Sequence, residues 1–105
     1  MPFVVPQLVV AEAAYLVGRQ LGAIAEARLL RNLAASPLSF VSFEQVDIER
    51  AADLIENYAD LRLGTVDAIV IAIAERLDVR QIATLDHRHF TVVRPVHVEA
   101  FELLP

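Results

Sequence analysis

A chain of 105 residues has room for one domain, and a composition 56% apolar and 22% charged excludes an intrinsically disordered protein. Nine basic residues against 14 acidic ones leave a formal charge of −5, which excludes gripping nucleic acid by net charge alone. Any such contact needs local basic groups or a metal. With no cysteine, a disulfide scaffold, a thiolate-bound zinc and a cysteine nucleophile are excluded too. No apolar run reaches the ~18 residues of a membrane span. The opening MPFVVPQLVV has no positively charged stretch ahead of its apolar one, as a secretory signal would. The expectation is a soluble, cytoplasmic protein of one domain, residues 1–105.

No repeat or linker breaks the chain. Residues 3–5, an apolar run between two prolines, predict a strand. Residues 7–16 predict a helix with Leu8, Ala11, Tyr15 and Leu16 near one face and Gly18 as its end. A second helix is expected over 23–35, where Ile24, Ala27 and Leu30 recur at helical spacing before Pro37. Residues 38–43 read as a strand. Ser42 with Gln45 three residues on resembles a capping box. The helix after it carries Ile48, Ala51, Ala52, Ile55 and Tyr58 on one stripe, opposite Glu49, Asp53 and Glu56. Leu63-Gly64 forms a loop, and Thr65 is a good N-cap for TVDAIVIAIAERL (65–77). That helix is apolar all round in its middle and so is expected to be buried. Residues 81–85 and 90–93 predict strands, and 98–103 a closing helical turn. Strands alternating with helices predict an α/β fold with a mainly parallel sheet and right-handed crossovers.

In open α/β sheets, sites gather at the carboxyl ends of strands, where Asp86 follows the apolar IATL (82–85). Asp67 falls in the first turn of the apolar helix, and Glu12 stands among Val10, Ala11, Ala13 and Ala14. None of the three has an obvious Lys or Arg partner in sequence. Buried carboxylates require pairing, protonation or a metal. A hard divalent cation such as Mg²⁺ or Mn²⁺ suits an all-oxygen donor set. Each residue also has an ordinary explanation: Asp67 as a complement to the helix dipole, Asp86 as a turn residue, Glu12 as a solvated helix position. Other chemistries find less support. His87 and His89 lack two further ligands for zinc, with His97 the only other histidine. Ser36, Ser39 and Ser42 lack a nucleophile-elbow context. No glycine-rich phosphate loop exists, and Arg88 reads as a phosphate contact or as a solvated side chain.

The stretch LRLGTVDAIVIAIAERLDVRQIATLDHRHFTVVRP (61–95) resembles the C-terminal half of a PIN domain, and is most similar to the VapC-type toxins of bacterial toxin–antitoxin pairs. VVPQLVVAEAAYLVGRQLG (4–22) is similar to that family's strand and following helix with its internal glutamate. The resemblance covers nearly the whole chain. It implies a metal-dependent ribonuclease whose acidic residues hold Mg²⁺ or Mn²⁺ at one sheet edge. Glu12, Asp67 and Asp86 match three of the family's four acids as catalytic and metal-binding residues, with Thr65 and Thr84 as supporting hydroxyls. It further implies an RNA substrate, a VapB-type antitoxin and a homodimer.

The family's fourth acid sits at the end of a first strand that would precede residue 3. The expectation is therefore a PIN-like parallel sheet with helices on both faces, N-terminally truncated, its central first strand absent. By resemblance the strand order is 3-2-1-4-5. A vacancy there would hold strands 3–5 and 81–85 about 9.6 Å apart and leave buried amides unpaired at about 1–3 kcal/mol each. Three resolutions stay open: the sheet closes, another chain supplies a strand through exchange between copies, or the chain is part of a longer protein. The rival functional reading is a non-catalytic remnant that only binds an antitoxin or partner.

Overall fold

In a computed structural model of the chain, residues 4–79, 81–83 and 102–104 are described. They form two compact units, 1–42 and 43–105. The first holds strand β1 (Val4–Pro6), helices α1 (Gln7–Leu21) and α2 (Ala23–Ala35), and strand β2 (Ser39–Val41). The second holds α3 (Gln45–Asn57), a single 3₁₀ turn (Ala59–Leu61), α4 (Thr65–Arg76), and strands β3 (Gln81–Ala83) and β4 (Glu102–Leu104).

Every described strand pairing is parallel, as the alternation of elements predicts. The pairs are β1 with β2, Val5 opposite Phe40, and β3 with β4, Ile82 opposite Leu103. The second pair corrects the expected helical turn at 98–103, since residues 102–104 are a strand. A lone turn satisfies few backbone groups, whereas a ladder beside β3 pairs them. The strand expected at 90–93 lies outside the described residues.

In the first unit, α1 does not stop at Gly18 but runs on to Leu21. Gly22 ends it at φ 91°, a left-handed value that glycine takes without penalty, and its N–H donates to the Gly18 carbonyl at 3.0 Å. Gly18 instead gives room to α2: a β-carbon there would meet the Glu26 carboxylate. The buried face of α1 also differs from expectation. Ala14 is buried, with Leu8, Val10, Val17 and Gly18 half-buried, while Ala11, Tyr15 and Leu16 face outward. The sequence VVAEAAYLV is apolar on more than one side, so periodicity alone could not choose the face. The second helix has the bounds expected. Past it, the Ser36 hydroxyl donates to the Leu33 carbonyl at 2.6 Å, a turn role rather than a chemical one.

In the second unit the capping box sits two residues later than expected. Glu44 is the N-cap of α3, and its N–H donates to Asp47 Oδ2 at 2.8 Å. The buried stripe is rotated by one position, to Asp47, Ala51 and Leu54; Ile48 and Ala52 are exposed. An acid occupies the stripe because α4 supplies its cation. Helix α4 is as buried as its sequence predicts, with Ala68, Ile69 and Ile71 to Ala74 in the core. Its N-cap is Gly64, not Thr65, which is the exposed first residue of the helix.

Candidate active site

Asp67 stands at the third position of α4, in its first turn, and is half-buried. Its mount is stiff. Leu63 is buried just ahead, the Ala68 N–H donates to the Gly64 carbonyl at 2.9 Å, and the helix beyond is buried at Ala68, Ile69 and Ile71 to Ala74. A helix N-terminus also favours a negative charge there. Glu12 projects from the exposed side of α1, two residues before buried Ala14. Its setting is therefore solvent rather than the apolar one its sequence neighbours suggest. Helical geometry explains this, since residues adjacent in sequence point about 100° apart. Asp86 lies three residues past β3 and outside the described residues, as do Thr84, His87, Arg88, His89 and His97. Glu12 belongs to the first unit and Asp67 to the second. Among the described residues, which exclude Asp86, no cluster of three metal-capable side chains forms.

Sequence reasoning missed the most buried acid among the described residues, Asp47, 1% exposed. Arg76 from α4 donates through Nε to both of its carboxylate oxygens at 3.1 Å. Arg76 also reaches Glu44 at 3.5 Å. Nearby, Arg50 Nε and Nη2 donate to Glu75 Oε1 and Oε2 at 2.8 and 3.1 Å, a bidentate pair. The hydrogen bond that Arg50 donates to Glu75 raises the Arg50 pKa, and that donated by Arg76 to Asp47 raises the Arg76 pKa. The stability that a raised arginine pKa contributes is present throughout the neutral range and is lost as pH rises through the arginine pKa in strong alkali. They join α3 to α4 and are structural. Their sequence signal was the spacing of Asp47, Ala51 and Leu54, together with the adjacent Glu75-Arg76.

The chain matches the PIN-domain family over residues 2–94. It is 39% identical over 102 residues to Ribonuclease VapC26 of Mycobacterium tuberculosis, covering 97% of this chain and 76% of the relative. Its fold is similar to the crystal structure of Mycobacterium tuberculosis VapC20, a sarcin–ricin-loop-cleaving toxin, with a TM-score of 0.79 at 17% identity, covering 93% of this chain and 75% of that one. No helix among the described residues is long and apolar enough to cross a membrane.

Proposed function

This chain belongs to the PIN-domain family, with its likeness there to the VapC-type toxins, and on that premise we propose that it is a divalent-metal-dependent ribonuclease of a toxin–antitoxin pair. The observation that carries the reading is the span of the family match, residues 2–94, which takes in Glu12, Asp67 and Asp86 together. The donor set fits the metal: three carboxylates, all hard oxygen ligands, suit Mg²⁺ or Mn²⁺. When bound, the ion supplies charge neutralisation at the scissile phosphate and a more acidic water. The side chains do the rest. Asp67 is held by a buried helix, so fixing its carboxylate costs little further freedom. Glu12 is already exposed and reaches a ligand without local opening. Asp86 follows the strand end at which α/β sites collect. Metal recruitment also reconciles an acidic chain with an RNA substrate.

The family match spans both compact units, which supports treating them as one PIN-like domain. The same reading makes a VapB-type antitoxin the partner, a homodimer (strand-exchanged or not) the assembly, and the cytoplasm the compartment. RNA cleavage by the purified chain tests it. Cleavage should require Mg²⁺ or Mn²⁺ and stop in EDTA. Asp67→Asn and Asp86→Asn should each slow it by at least about a hundredfold. Cleavage that persists in EDTA, or that neither substitution slows, would overturn the proposal. No cleavage by a chain that still binds its antitoxin would favour the non-catalytic remnant.

A further inference from the structure

Glu12, Tyr15, Leu16 and Arg19 are all exposed, and on α1 they fall at i, i+3, i+4 and i+7. That spacing places them along one stripe of the helix. Buried Ala14 and half-buried Val17 and Gly18 hold the other side inward. Tyr15 is 61% exposed, an unusual placement for a ring that could pack. At 1.5 Å rise per residue, Tyr15 stands about 4.5 Å and Arg19 about 10.5 Å along the axis from Glu12. A carboxylate, an aromatic face and a guanidinium thus follow one another within about two turns.

Charge is distributed in the same sense. Residues 1–42 carry three arginines (Arg19, Arg28, Arg31) against two glutamates (Glu12, Glu26), a net of +1 in a chain of −5. Among the described residues Arg19 makes no ion pair, while the bridged arginines, Arg50 and Arg76, sit in the other unit. We propose that the Tyr15–Arg19 stripe of α1 is a docking track for single-stranded RNA leading away from Glu12, with a base stacked on Tyr15 and a phosphate paired to Arg19. Aromatic stacking accepts any base and an arginine reads only the backbone, so the track binds without sequence preference. The inference rests on the ribonuclease reading but concerns binding rather than hydrolysis.

Fluorescence anisotropy of a labelled mixed-sequence oligoribonucleotide with the full chain in EDTA separates the two, since no metal is needed. Tyr15→Ala should weaken binding by about 5- to 20-fold, while Tyr15→Phe, which keeps the ring, stays within about twofold. Arg19→Ala should weaken binding and lower the slope of log affinity against log salt by about 0.7, the value for one single-strand phosphate contact. Arg19→Lys should keep that slope. Arg19 in the last turn of α1 also complements the helix dipole, but a purely structural role would lower the melting temperature and leave the salt slope unchanged. Val46→Ala, an exposed apolar residue of the other unit, should leave affinity unchanged. The proposal is overturned if folded Tyr15→Ala and Arg19→Ala bind as wild type does, if the wild-type chain does not bind the oligonucleotide, or if the variants change only oligomeric state or antitoxin capture. Loss of metal-dependent cleavage with the binding pattern intact would sink the nuclease reading and leave the track standing.

Discussion

The two helix pairs are built from similarly apolar sequence and do opposite things with it. Helices α1 and α2 bury one residue outright, Ala14, and present Leu21 and Ile24 at 72% and 76% exposure. Helices α3 and α4 bury Asp47, Ala51, Leu54 and six residues of α4, and with the N-cap Glu44 they carry every described ion pair. Apolar content therefore does not decide burial. Both pairs of helices pack on each other; what differs is charge, since α3 and α4 answer each other's charges while no described residue of α1 or α2 makes an ion pair. The first unit leaves Tyr15, Leu16, Leu21 and Ile24 exposed, as the proposed RNA track requires, and the second holds Asp67 at the start of a buried helix.

The sharpest way to break this contrast is one deletion in each unit. Ile71→Ala, at a fully buried position, should cost about 3 kcal/mol of unfolding free energy through lost burial and the cavity left behind. Leu16→Ala, on the open face of α1, should cost less than about 0.5 kcal/mol. Urea denaturation followed by circular dichroism measures both. Equal costs would mean that the face of α1 is covered and the contrast false.

Next in size is Asp47→Asn. Removing one member of a buried ion pair costs about 3–5 kcal/mol. Two features reduce that here: the Arg76 side chain is 26% exposed, and asparagine keeps an oxygen for the Glu44 N–H. The expected loss is about 2 kcal/mol in the same assay. A loss under about 0.5 kcal/mol would show that the α3–α4 pair is held by apolar packing alone.

The smallest effect belongs to Gly18. Inside a helix, alanine is favoured over glycine by about 0.8–1 kcal/mol, and the three atoms nearest to a new β-carbon all belong to the flexible side chain of Glu26. Gly18→Ala should raise stability by up to about 1 kcal/mol once that carboxylate swings away, visible as a rise of a few degrees in the thermal midpoint. A destabilised variant would mean that α1 and α2 are locked more tightly than their exposed residues suggest.

Much of this architecture was legible in the sequence. Helix α2 could be bounded from its periodicity and Pro37, and the burial of α4 from its unbroken apolar middle. The faces of α1 and α3 were not legible. A segment such as VVAEAAYLV offers two apolar sides, and the buried side of α3 includes an acid that hydrophobic patterning always assigns to solvent. Strand β4 was missed for a related reason: three residues show no period, and only the presence of β3 makes them a strand. At the site, the family-like motifs selected Glu12, Asp67 and Asp86 where spacings of 55 and 19 residues carry no signal. The apolar neighbours of Glu12 misled, because a helix turns neighbours in sequence away from one another.

Six of the seven residues from Ala68 to Ala74 are buried. A helix so uniformly apolar has little hydrophobic reason to prefer one rotation or one depth of insertion over the next. The charges at its far end supply the preference. Sliding α4 by one turn would carry Arg76 about 5.4 Å from Asp47 and strand a buried carboxylate without its cation. The Arg50–Glu75 pair would part in the same movement. Polar contacts of modest strength thus select a single arrangement from several of similar apolar packing, opening an energy gap between the native state and its near neighbours that greasy surfaces alone would leave closed.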